Sequence, residues 1–299
     1  VPFTRGREVS KPSQQVVDEV RMLVEHGVRE VTLLGQNVNS YGKDRVDRDG
    51  VAHELDFAEL IHKVAEIDGL ERIRFTTSHP MDCTDALIDA FATCKKLAPF
   101  FHLPIQSGSP KVLQGMRRAH GVDDYLAKIE RLRKAVPDIA LSTDLIVGFP
   151  GETEEDFEMT LALMREVRYA TLFSFLYSPR PGTKAAEFKD DVPMAVKKQR
   201  LTRLQAIQDE MTDSWMAGYA GKIVDVLVEG PSRLQNAGPN SKLAEVKALG
   251  LPQLMGRTPE NVIVNFAVET PAELVSRKGT IARVRIDHVR PHSLLGTLV

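Results

Sequence analysis

Five short apolar runs each stop at a polar loop bearing glycine or proline, and an amphipathic stretch of helical period follows each of the first four. The runs are Val31 to Leu34, Ile73 to Phe75, Phe100 to Leu103, Leu145 to Val147 and Leu172 to Leu176. Strands followed by helices at this spacing read as parallel βα units, and in a (β/α) barrel the loops after the strands carry the chemistry. The chain is therefore expected to be an enzyme of the α/β class.

At 299 residues, 42% of them hydrophobic and 27% charged, the chain is long enough for one large domain and a small one. No run approaches the roughly 18 apolar residues of a membrane span, and no membrane partner is expected. The first residue is Val1, and a loop-like stretch to Gly6 opens the chain with no strand before it, which predicts a fragment. The only cysteines, Cys83 and Cys94, stand eleven positions apart. That spacing indicates neither a pairing nor a metal motif, and so few cysteines imply a reducing, cytoplasmic compartment.

The last 79 residues differ in kind. Between Gly221 and Val299 there are ten lysines and arginines against seven aspartates and glutamates, within a chain whose net charge is −2. The hydrophobic period also changes to that of strands, at Ile223 to Glu229, Asn261 to Phe266 and Ile281 to Ile286, joined by glycine and proline turns. A small barrel or sandwich without helices is expected, with Arg283 and Arg285 on one face and Ile281 and Ile286 elsewhere. Before it, a helix opening at Pro193 runs through Leu201, Leu204, Ile207, Met211 and Trp215 and ends near Gly218. Thr153 with Asp156 three positions on makes a capping-box-like helix start.

Taken singly, the loops are ambiguous. Gly148-Phe149-Pro150-Gly151-Glu152 is either a tight turn into a helix or a place where glycines let the backbone approach a flat ligand beside a helix start. No G-x-G-x-x-G follows a strand, which disfavours a nicotinamide enzyme. His79 and His102 read as hydrogen-bonded structural or substrate-contacting groups in preference to zinc ligands. Ser107 lies in Gln-Ser-Gly, without the G-x-S-x-G elbow of a nucleophile.

Taken in order, they point to one family. Pro2 to Gly6 (PFTRG), Leu34 to Gly42 (LGQNVNSYG), Phe75 to Pro80 (FTTSHP), His102 to Ser109 (HLPIQSGS), Asp144 to Thr153 (DLIVGFPGET) and Tyr177 to Thr183 (YSPRPGT) resemble the radical S-adenosylmethionine methylthiotransferases. Asn37-Val38-Asn39 and Thr77-Ser78-His79-Pro80 resemble the branch that acts on N6-isopentenyladenosine at position 37 of tRNA. The tail resembles a TRAM domain through Gly256-Arg257-Thr258 and Val264-Asn265-Phe266.

The resemblance implies a partial, TIM-like (β/α) radical SAM barrel with its first strand missing over residues 1–218, followed by a small all-β TRAM domain over residues 221–299. It implies S-adenosylmethionine and two 4Fe-4S clusters in the intact enzyme. Family members hold one cluster on a C-x-x-x-C-x-x-C loop just before the Pro-x-Thr-Arg-Gly segment and the other on three cysteines of an N-terminal domain. This chain has neither set, so alone it is expected to be inactive. The implied chemistry is reductive cleavage of S-adenosylmethionine, hydrogen abstraction from C2 of the adenine, and delivery of sulfur and a methyl group, with an external electron donor.

Implied cofactor-binding residues are Gln36 and Asn37 at the methionine end, with Ser78 in the same set. Gln106, Ser107 and Asp144 are implied for the ribose and amino-carboxylate, and Ile146, Gly148 and Phe149 for adenine. No catalytic side chain and no metal ligand is singled out. For tRNA the implied phosphate contacts are Arg233, Arg257, Arg283 and Arg285. Two departures predict weaker RNA affinity: Leu234 to Leu254 is longer than the family turn, and Val262 stands where many members carry arginine. The alternatives are a sibling acting on threonylcarbamoyladenosine or a ribosomal protein, and a non-catalytic RNA-binding remnant.

Overall fold

The computed structural model describes residues 9–44, 55–232 and 251–299. It contains two compact units, one running up to Met211 and the other from Thr212, the latter also taking Gly27–Arg29.

In the first unit, β1 (Glu30–Leu33) and β2 (Arg72–Phe75) pair in parallel, with Val31 opposite Ile73. A second parallel set is formed by β3 (Phe100–His102), β4 (Ala140–Val147) and β5 (Thr171–Leu176). The sets meet where the Ile73 amide donates to the Lys96 carbonyl at 2.7 Å and the Ala98 amide donates to the Ile73 carbonyl at 2.9 Å. The five strands thus run parallel in chain order, as the expected partial (β/α) barrel requires. Helices α1 (Ser13–Glu25), α2 (Phe57–Ala65), α3 (Asp85–Thr93), α4 (Pro110–Gly115), α5 (Val122–Ala135) and α6 (Glu154–Val167) precede or connect them.

Side-chain alternation gives the strands two faces. Val31, Ile73, Phe75, Phe101, Leu145 and Val147 are buried in an apolar core, where Phe75 meets Phe57, Phe91 and Phe101 at ring distances of 5.0, 5.7 and 5.4 Å. The opposite face is polar. It carries Glu30, Arg72, Arg74, His102, Ser142 and Asp144, with Glu30 paired to both arginines at 3.1 Å.

Local chemistry fixes the helix starts. Asp56 with Glu59 and Thr153 with Asp156 form full capping boxes, the second at the spacing read from the sequence. The long helix α7 (Met194–Ala217) opens just after Pro193 and crosses the division between the units at Met211 and Thr212.

The second unit is a closed barrel of β6 (Ile223–Pro231), β7 (Gln253–Arg257), β8 (Ile263–Ala267), β9 (Ile281–Arg290) and β10 (Ser293–Leu298), in the order β10-β8-β7-β6-β9. Its core includes Val226, Val228, Leu254, Val264, Phe266, Val284, Ile286 and Leu294. Against the expectation of a tail without helices, a four-residue helix, α8 (Glu273–Ser276), occurs in this unit. A second expectation is corrected: Ile281 does not leave the arginine face. Ile281, Arg283 and Arg285 point outward together along β9, with Ile281 41% exposed, while Ala282, Val284 and Ile286 fill the core.

Candidate active site

The loops after β1, β2, β3 and β4 converge at the C-terminal ends of the strands, where (β/α) barrels hold their chemistry. The first two are stitched together. The Val38 amide donates to the Thr77 carbonyl at 3.0 Å, the His79 amide to Asn39 Oδ1 at 2.9 Å, and Asn39 Nδ2 to the His79 carbonyl at 3.0 Å. Asn37 Nδ2 donates to Asp82 at 2.5 Å, and Lys43 closes on the same carboxylate. Burial works against ionisation of Asp82, but these donors outweigh it and lower its pKa.

The third and fourth loops are joined by main chain. Gln106 donates its amide to the Asp144 carbonyl at 3.0 Å and accepts from the Ile146 amide at 2.9 Å. Its backbone is left-handed, φ +78°, as are those of Thr77 at +63° and Arg117 at +57°. Non-glycine residues rarely adopt this conformation; Thr77 and Gln106 do so on loops after strands, and Arg117 between two helices.

Asp144 and Ile146 lie on the polar face of β4, both part-exposed, with His102 Nε2 3.6 Å from the Asp144 carboxylate and His102 Nδ1 3.0 Å from Ser142 Oγ. Two residues that sequence reasoning missed complete this region. His120 packs its ring edge-on against His79 at 5.3 Å, and Arg118 acts electrostatically on both histidines and on Asp144. Burial lowers the pKa of His79, and Arg118 adds to that against the smaller pull of Asp82; burial likewise lowers His120. His79 Nδ1 accepts from the Met81 amide at 3.3 Å, which leaves the proton of the neutral ring on Nε2. The available signal was a pair of adjacent arginines and a histidine, Arg117-Arg118-Ala119-His120, between two helices.

Three polar atoms here are buried without a hydrogen-bond partner among the described residues: Asn37 Oδ1, Ser78 Oγ and His120 Nδ1. Each such atom costs about 1–3 kcal/mol if left unpaired. Two acceptors and a hydroxyl fit a ligand rich in donors, such as an ammonium or sugar hydroxyls, and therefore fit S-adenosylmethionine. The cysteines do not fit an iron–sulfur cluster. Cys83 and Cys94 are buried free thiols, burial pushes Cys83 up to about 12, and no group of three or more metal-binding side chains occurs among the described residues.

Other sequence-predicted residues are placed differently. Gln36 is exposed and, with Asn37, lines a cavity of about 790 Å³ beside β1 whose lining includes neither Gln106 nor Asp144. Ser107 is fully buried, its hydroxyl 3.3 Å from Thr160 Oγ1 and accepting from the Ser109 amide. Phe149 is buried against Tyr177 and Phe188, at ring distances of 5.1 and 6.1 Å, so its side chain serves packing. Gly148, at φ +75°, stands where a Cβ would come within 2.3 Å of Lys197 Cγ.

In the second unit Arg257 is engaged by Glu229 at 3.0 Å and by Asn261 at 3.1 Å, and Arg285 by Asp287 at 3.0 Å. Arg283 is exposed, and Arg233 lies outside the described residues.

The sequence profile of the radical SAM superfamily matches residues 1–164. The chain belongs to the radical SAM superfamily. As a radical SAM protein it is 48% identical, over 299 residues, to a tRNA-2-methylthio-N(6)-dimethylallyladenosine synthase of Syntrophotalea carbinolica, a match covering all of this chain and 62% of that protein. A protein of the same name from Burkholderia thailandensis is also 48% identical, over 303 residues, with the same 100% and 62% coverage. The chain thus spans about three fifths of the length of these curated relatives. Among solved structures, methylornithine synthase aligns with a TM-score of 0.45 at 18% identity, over 69% of this chain and 57% of that one. No helix among the described residues is long and apolar enough to cross a membrane.

Proposed function

We propose that this chain is the cofactor- and RNA-facing part of a tRNA methylthiotransferase that acts at C2 of N6-isopentenyladenosine 37. The observation that carries this reading is the 48% identity to synthases named for that product, in an alignment that covers the whole of this chain. The two segments resembling that branch, Asn37 to Asn39 and Thr77 to Pro80, are also one hydrogen-bonded unit, which supports this branch over its siblings.

When bound, S-adenosylmethionine and the cluster supply one-electron chemistry, which the protein orients and shields. Asn37 and Ser78 would hold the amino-acid end through their unpartnered oxygens. The Asp144 carboxylate accepts from ribose hydroxyls, and Ile146 with the Gly148 main chain forms the surface for adenine. His79 and His120, kept neutral by burial and by Arg118, hold a donor and an acceptor beside the ligand without adding charge.

The thiolates for two clusters would come from outside these 299 residues, since the chain contains only two cysteines and both are buried. The electron donor would be a separate protein, and the compartment the cytoplasm. In the tail, exposed Arg283 would meet RNA phosphates, whereas Arg257 is committed to Glu229 and Asn261 and Arg285 to Asp287. The test is mass analysis of tRNA nucleosides from cells lacking the modification and supplied with this chain joined to a segment that carries the cluster-ligating cysteines. The expected result is 2-methylthio-N6-isopentenyladenosine; accumulation of the prenylated nucleoside alone contradicts the reading.

A further inference from the structure

β5 turns two phenylalanines outward. Phe173 is 55% and Phe175 51% exposed. The intervening Ser174 points to the other face, where its hydroxyl lies 3.3 Å from Gln205 Nε2 on α7. β5 pairs in register with β4, so cross-strand partners share a face: Phe173 stands opposite Asp144 and Phe175 opposite Ile146. The Phe173 ring also lies 6.0 Å from that of His102, which reaches Asp144 through Nε2. The aromatic pair is therefore continuous with the residues assigned above to the ribose and adenine of the cofactor. Exposed rings in that position do nothing for the core and form a surface suited to a flat apolar ligand.

Resting on the functional reading above, we propose that Phe173 and Phe175 are the surface on which the prenylated adenine of the RNA substrate stacks, making them specificity-determining residues for that base. An enzyme acting on a base takes it out of the stack, and single-stranded RNA bases are recognised by stacking on aromatic side chains. Residues two apart on a strand are separated by about 6.5 Å, enough for one ring to meet the purine and the other its N6 substituent. A five-carbon apolar substituent gains from burial against phenylalanine, whereas a phosphate or a polar base edge does not. Placement opposite Asp144 and Ile146 sets the base beside the bound cofactor, where a hydrogen on C2 can be reached.

The experiment is a fluorescence-anisotropy titration of this chain with an anticodon stem-loop RNA carrying N6-isopentenyladenosine, and with the same RNA carrying adenosine. The wild-type chain is expected to prefer the prenylated RNA by about ten-fold. Phe173→Ala with Phe175→Ala should lose about five-fold or more in affinity for it and most of that preference. The double tyrosine variant should restore both, since it keeps the stacking faces. Melting curves of all three proteins should coincide, because both positions are exposed. An intact preference in the double alanine variant overturns this assignment alone. A wild-type chain that does not distinguish the two RNAs overturns the functional reading, and this assignment with it.

Discussion

Glu152 and Arg200 form an ion pair inside the protein, Oε2 to Nη1 at 2.7 Å, with side chains 1% and 6% exposed. The same carboxylate oxygen accepts the Gly148 amide at 2.7 Å, so α7 reaches the glycine loop through one residue. Burial raises the pKa of Glu152 against the opposing pull of the Gly148 amide and Arg200. Arg200→Met would leave that carboxylate buried and uncompensated, at an expected cost of roughly 3–5 kcal/mol. Adding Glu152→Gln should recover most of it. Urea unfolding midpoints measure both, and a loss no larger than that of the more exposed Arg203→Met would count against a structural role for the pair.

Asp156 predicts an acid-dependent step in stability. Burial opposes its ionisation, but Ser109, Thr153 and Lys111 donate to it and hold its pKa at about 2, below the ordinary 3.8. A carboxylate whose folded pKa is depressed contributes fully above its unfolded pKa, and that contribution is lost as pH falls through the folded one. The wild type should therefore weaken between about pH 4 and pH 2. Asp156→Ala should cost roughly 2 kcal/mol at neutral pH and flatten that part of the profile. Parallel profiles for the two proteins would rule this out.

Gly148 and Gly151 separate steric crowding from backbone conformation. Both have positive φ, +75° and +77°, but only at Gly148 would a Cβ collide, with the Lys197 stem. Lys197 is held at its far end by Asp190 at 2.7 Å and cannot simply swing away. Gly151→Ala should cost about 1 kcal/mol, the left-handed penalty. Gly148→Ala should cost about 3 kcal/mol and also weaken S-adenosylmethionine binding. Thermal melting together with ligand titration distinguishes them, and equal losses would contradict the packing seen around Lys197.

Two tail arginines should behave differently on mutation. Arg283→Ala removes an exposed cation and is expected to lower the salt dependence of tRNA binding by a slope of about 0.7–0.9, with no change in melting. Arg257→Ala breaks the contacts to Glu229 and Asn261 between β6 and the β7–β8 turn, and should lower the melting temperature. Filter binding over a salt series, alongside melting curves, reads both effects. An unchanged slope for Arg283→Ala would assign the RNA to another surface.

What the sequence disclosed follows the physics of each element. The strands ending at Leu33, Phe75, His102, Val147 and Leu176 were legible because each carries apolar residues on its core face up to an exit built of turn residues. β7 and β10 were not, because Gln253 to Arg257 and Ser293 to Leu298 contain glycine and polar residues that obscure the alternation. The mouth was half legible. Asn37 and Ser78 follow strands closely and Asp144 lies within β4, whereas Arg118 and His120 arrive through a loop reversal at Arg117. Charge alone marked Arg257 as an RNA contact; its partners Glu229 and Asn261 became visible only when β6, β7 and β8 were paired.

The mouth formed by the loops after β1 to β4 is proposed to bind S-adenosylmethionine. Calorimetric titration of this chain with S-adenosylmethionine tests it most directly. Single-site binding is expected, weakened about ten-fold or more by Asp144→Ala through loss of charge-assisted hydrogen bonds, and unaffected by Arg283→Ala. Wild-type affinity in the Asp144→Ala protein would contradict it.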